Sequence, residues 1–127
     1  MAALTLPAKP ESVAHARHAI AELGERLDFS ERKLADIRTV VSEACMNAAV
    51  HAYDGAGEQF VVSAHALAGG LAVSVSDRGS GIRPHPAIGA SSARLGLLLI
   101  AALSESVEIR SRPGGGTDLR IRLSADD

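Results

Sequence analysis

Across residues 41–53 the chain reads Val-Ser-Glu-Ala-Cys-Met-Asn-Ala-Ala-Val-His-Ala-Tyr, with an acid, an amide and an imidazole at steps of four. On an α-helix a step of four turns the side chain by roughly 40°. Glu43, Asn47 and His51 therefore share one polar stripe. Ala44, Cys45, Ala48 and Ala49 beside it are small, so another object can approach this helix closely. A stripe of this kind restricts what the helix can pack against, because a carboxylate and an amide need partners once water is removed. Two readings fit the stretch alone: the wetted face of an amphipathic helix, or the lining of a site.

With 127 residues the chain has the length of one compact domain, spanning 1–127. Hydrophobic residues make up 46% but aromatics only 2%, so the core must be built from Ala, Val, Leu and Ile. A formal net charge of -2, with only Phe29, Phe60 and Tyr53 as rings, argues against direct nucleic-acid binding by phosphate neutralisation or base stacking. No apolar run approaches the roughly 20 residues that span a bilayer. The N-terminus lacks the basic and apolar sequence of a secretory signal. One cysteine rules out an internal disulfide framework and cannot make a zinc site by itself. The expected compartment is the cytoplasm, away from membranes.

The remaining pattern alternates helix and strand signals. Leu4-Thr5-Leu6 before Pro7 predicts an edge strand, where proline is tolerated. Pro10-Glu11 opens a helix whose apolar face is Val13, Ala16, Ile20, Leu23 and Leu27. Asp28-Phe29-Ser30 breaks it, and Ser30 is set to cap a second helix over about 31–52. Strands are predicted at 59–66 and 71–76, joined by a Gly69-Gly70 hairpin turn. Residues 83–93 hold two prolines, glycine and serines and read as a loop. A helix at 94–103 and strands at 107–110 and 119–123 complete the chain.

Three glycine-bearing segments then matter. Asp77-x-Gly79-x-Gly81 lies at a strand end, where glycines leave no side chain between backbone and ligand. Its carboxylate suits a buried donor such as the exocyclic amino group of adenine, although a plain turn with an Asx cap also fits. No Gly-Lys-Ser/Thr follows, so it is not a Walker loop. Leu95-Gly96-Leu97 is read as opening a helix, whose free amides attract phosphate. Gly115-Gly116-Thr117 lies between strands, where a simple hairpin is the alternative.

The order of these parts resembles the GHKL ATPase superfamily, to which gyrase and the histidine kinases belong. That resemblance implies the Bergerat fold: an α/β (α+β) two-layer sandwich whose mixed, mostly antiparallel sheet is covered on one face by about three helices. Within the superfamily, residues 7–17 and Glu-Ala-x-x-Asn-Ala-x-x-His-Ala-Tyr, residues 43–53, are similar to the anti-sigma factor serine kinases. The family implies an anti-sigma factor and ATP-dependent protein-serine kinase that phosphorylates an anti-anti-sigma (STAS-type) protein, regulating an alternative sigma factor. It further implies a homodimer. By position, Asn47 matches the asparagine that holds Mg²⁺ between the phosphates of ATP, and Glu43 the general base. Asp77 matches the adenine-reading aspartate, with Gly79 and Gly81 letting the base approach. Gly96, followed by Leu97, matches the phosphate loop, and Thr117 the threonine supporting the adenine pocket through Asp77. Residues 83–93 match a short lid over ATP. His51 matches a common family position with a structural hydrogen bond rather than a catalytic role.

One residue departs from the pattern. Arg94 stands where the family has the first glycine of Gly-x-Gly-Leu. Its side chain there would crowd the phosphates or pair with them as a charged clamp. The alternative function is therefore a degenerate or nucleotide-gated module that sequesters a partner without phosphoryl transfer.

Overall fold

A computed structural model describes residues 2–51, 59–77, 89–111, 113 and 116–126, with backbone alone at 50, 51 and 89–94. Strand β1 (Ala2–Pro7) leads into helices α1 (Pro10–Arg26) and α2 (Glu31–Met46). A π-helical turn (Asn47–His51) continues α2. Strands β2 (Gln59–Leu67) and β3 (Gly70–Asp77) form a hairpin, followed by α3 (Gly89–Leu103), β4 (Ser106–Ser111) and β5 (Thr117–Ser124).

The strands make one sheet in the order β1-β2-β3-β5-β4, and every described pairing is antiparallel. This is the two-layer architecture expected, with three helices on one face; no parallel pair occurs among the described strands. β1 is an edge strand ending on Pro7, opposite Gln59, as its proline requires. The hairpin turn falls on Ala68 and Gly69 rather than on Gly69-Gly70, because Gly70 already pairs with Leu67 and with Ser124.

Strict alternation decides which face each strand residue takes. Phe60, Val62 and Ala64, then Leu71, Val73 and Val75, then Leu119, Ile121 and Leu123 are all buried beneath the helices. Ile20 of α1, Ile37, Val40 and Val41 of α2 and Ile100 of α3 fill the other half of the core. Ser30 caps α2 as read: its hydroxyl accepts from the Lys33 N–H at 3.1 Å.

Two elements differ from the sequence expectation. The helix predicted over 31–52 is α-helical only to Met46 and then widens into the π turn. A π turn does not advance by the angle of an α-helix, so the regular spacing behind the stripe is described for Glu43 and Asn47, while the His51 side chain lies outside the described residues. The second difference is α3, which begins at Gly89 rather than 94. Ala90-Ser91-Ser92-Ala93 contains no helix breaker once Pro86 is passed, so the helix propagates back through residues read as loop.

Candidate functional site

Alternation carries β3 through Leu71, Val73 and Val75, and the next inward position is Asp77. The same parity on β5 runs back through Leu123, Ile121 and Leu119 to Thr117. Asp77 and Thr117 are direct partners across the β3–β5 pair, and Phe60 faces Asp77 from β2. A carboxylate and a hydroxyl thus occupy two core-facing positions at the same end of the sheet. Their exposures are 5% and 6%. Side chains directly opposite on antiparallel strands have Cβ atoms roughly 5 Å apart. The pair can therefore act as one polar floor, an acceptor beside a group that both donates and accepts.

Asn47 opens the π turn, and that turn packs on α3 and on strands β2 and β3. Its side chain is only 3% exposed. The amide nitrogen Nδ2 is buried and has no hydrogen-bond partner among the described residues. An unpaired buried donor costs about 1–3 kcal/mol, so it calls for an occupant. π turns also concentrate at functional positions. The amide offers a donor suited to a phosphate oxygen and an acceptor suited to a hard cation such as Mg²⁺. The residue present fits a nucleotide-bound metal.

Glu43 lies one turn before Asn47 on α2 and is half-buried. Its carboxylate packs against the backbone of α3 at Gly96. A Cβ at Gly96 would lie 2.6 Å from Glu43 Oε2 and 3.6 Å from its Cδ. Gly96 is buried, deep within α3, although it was expected at a helix start. In a regular helix its N–H is taken by the carbonyl four residues back, so the free-amide argument for phosphate binding does not apply to it here. Leu97 is half-buried against the core. Arg94 has its backbone in α3. Gly79, Gly81 and residues 83–88 of the expected lid lie outside the described residues, while residues 89–93 belong to α3.

The structure thus places Glu43 and Asn47 on one face beside α3, with Asp77 and Thr117 paired at the sheet end. The contact between Gly96 and Glu43 was not anticipated. Its one sequence signal is an isolated glycine within an apolar helical run, which implies close packing. A separate cavity of about 510 Å³ lies on the solvent face of the sheet, lined in part by Ser63, His65, Ser74 and Arg120. The residues of the polar cluster do not line it.

Three helices over one face of an antiparallel sheet define a two-layer α/β domain, with Asp77 and Thr117 buried at one sheet end and Asn47 buried on a turn that packs on the same sheet. The chain belongs to the histidine kinase-like ATPase domain family, whose pattern matches residues 6–123. It is similar to the anti-sigma F factor of Pasteuria penetrans, at 36% identity over 122 residues, covering 84% of this chain and 79% of the relative. It is also similar to the serine-protein kinase RsbW of Bacillus pumilus, at 29% identity over 127 residues, covering 87% of this chain and 78% of the relative. Among solved structures, the RsbU and RsbW domains of a Mycobacterium tuberculosis protein superpose with a TM-score of 0.69 and 24% identity over 98% of this chain. This chain spans 32% of that longer one, and the likeness speaks for the fold. No helix among the described residues is long and apolar enough to cross a membrane.

Proposed function

We propose that this protein is an ATP-dependent protein-serine kinase that also acts as an anti-sigma factor, with an anti-anti-sigma protein of the STAS type as its phosphoryl acceptor. The observation that carries this reading is the buried Asn47 Nδ2, which has no partner among the described residues, one turn from Glu43 and on a turn that touches β3. Family membership supports ATP as the substrate. The names of the relatives, anti-sigma F factor and serine-protein kinase, support a sigma-factor partner and phosphoryl transfer to a protein serine.

In this reading Asp77 accepts from the adenine amino group and Thr117 steadies that carboxylate, while Gly79 and Gly81 admit the base. Asn47 would hold Mg²⁺ and the phosphates, and the ion would supply charge neutralisation on the transferring group. Leu97 packs the α3 side of the pocket, and Arg94 pairs with phosphate. Glu43 takes the proton of the acceptor serine as its Oγ bonds to the γ-phosphorus. The bond from that phosphorus to the bridging oxygen breaks, ADP leaves with the electron pair, and the products are phosphoserine and ADP.

The presence of arginine at position 94, where the family resemblance implies glycine, favours a second reading: a module that holds its partner without transfer. Incubation with radiolabelled Mg-ATP and a purified STAS-type acceptor separates the two. We expect label on an acceptor serine, and Glu43→Ala to retain ATP binding while lowering transfer by roughly 10²–10⁴-fold. ATP binding without label on the acceptor leaves the sequestering module. Undiminished transfer by Glu43→Ala removes that residue as the base.

A further inference from the structure

Helix α3 presents Gly96 and Ile100 inward, with Leu97 and Leu103 partly buried beside them, while Leu95 and Leu98 are exposed. Beyond Gly96 the described inward positions, Leu97, Ile100 and Leu103, are large and apolar. At one position it carries no side chain, although glycine in a helix interior is unfavourable. The space left there is taken by the Glu43 carboxylate, from α2. A methyl group at 96 would come within 2.6 Å of Oε2, 3.6 Å of Cδ and 3.8 Å of Cβ. Each of these atoms belongs to the Glu43 side chain. An added methyl group would therefore push that side chain aside and leave the backbones of α2 and α3 in place.

We propose that Gly96 is a positioning residue for Glu43: α3 sets the direction of the carboxylate through a close contact that only glycine permits. This assignment differs from a phosphate-binding role for Gly96 and rests on the kinase reading for its catalytic consequence. Glu43 and Asn47 lie on the same side of α2, one turn apart, and α3 also packs on the turn that Asn47 opens. A carboxylate acting as a base must meet the acceptor hydroxyl within hydrogen-bond reach. Displacing it by an ångström is enough to cost about 10²-fold in rate. Through Gly96 the helix thereby controls transfer by a contact with the base that does not itself involve the nucleotide.

The test uses the full chain and the variants Gly96→Ala, Glu43→Ala and their combination. The first readout needs no activity. In the Glu43→Ala background, Gly96→Ala is expected to raise Tm by about 2–4 °C, the ordinary gain of replacing a helical glycine. In the wild-type background the gain should shrink or vanish, because the carboxylate must move. Equal gains in both backgrounds would show that the two residues do not interact and would overturn the proposal, whether or not the protein is a kinase. The second readout is transfer to the STAS-type acceptor. Gly96→Ala should lower kcat by about 10–100-fold with the KM for ATP unchanged, and should cause no further loss once Glu43 is alanine. A rise in KM for ATP alongside the loss would assign Gly96 to the phosphates. An unchanged kcat would also defeat the proposal. If wild type transfers nothing, the kinase reading fails, while the Tm comparison still decides whether α3 holds the carboxylate.

Discussion

Cys45 sits on α2 between Ala44 and Met46, fully buried, and is the free thiol of the chain. Burial disfavours its charged form and pushes the thiol from 9.0 up to about 12. The unfolded chain therefore gives up this proton near pH 9, while the folded chain keeps it to about pH 12. Below about pH 8 both states hold the proton and this group leaves stability unchanged. Through the window above pH 9 the unfolded state is increasingly favoured, by about 1.4 kcal/mol per pH unit. Urea denaturation at pH 8, 9 and 10 should show this decline, and Cys45→Ala should flatten it. The thiolate is the reactive species, so the native protein should resist thiol reagents at pH 8 and react only on unfolding. At the same scale Asn47 behaves differently: its buried Nδ2 has no hydrogen-bond partner among the described residues, a cost that an occupant of the site would offset.

At the scale of elements, the β3–β5 pair is the hinge on which both core and site depend. It aligns Leu71 with Leu123, Val73 with Ile121, Val75 with Leu119 and finally Asp77 with Thr117. A one-residue slip would turn every one of these to the other face. Gly70 guards the far end of this register. A Cβ there would lie 2.5 Å from the Leu123 carbonyl oxygen, a backbone atom that cannot step aside without opening the pair. Gly70→Ala is thus expected to destabilise by about 1–3 kcal/mol, the range of overpacking. A urea titration should show a lower midpoint with unchanged slope. The edge strand at Leu4 and Leu6, the Ser30 cap and the inward alternation that ends on Asp77 were all legible in the sequence. The start of α3 was not, because Ala90-Ser91-Ser92-Ala93 suits both loop and helix. The π turn was equally illegible: residues 47–51 have the composition of an ordinary helix.

Across the whole molecule, helices cover one face of the sheet and leave Ser63, Ser74, Arg120 and Arg122 on the other. The polar cluster lies on the covered side, assembled from α2, β3 and β5. A nucleotide seated there would bridge these elements and bind the folded state alone. Mg-ATP at 100 times its Kd is then expected to stabilise the protein by about 2.7 kcal/mol, seen as a rise in Tm. In the proposed reading GTP should give no such rise, because Asp77 would accept from the adenine amino group, which the guanine edge does not present at that position. Asp77→Asn should weaken ATP binding by roughly 10–150-fold, as loss of a hydrogen bond to a charged group implies. Unaltered affinity in that variant would remove Asp77 from the adenine pocket.

By itself the sequence determined the local order of this protein: which residues alternate, where Ser30 starts a helix, and that an acid ends the inward row of β3. Those features follow from backbone geometry within a few residues, so periodicity reports them directly. Tertiary structure alone decided that Asp77 stands opposite Thr117, that Asn47 Nδ2 is buried with no partner among the described residues, and that the Glu43 carboxylate fills the gap at Gly96. Each of these joins segments far apart in the chain. Their meeting is set by strand register and helix packing, where the space available to one side chain depends on residues that no local pattern names.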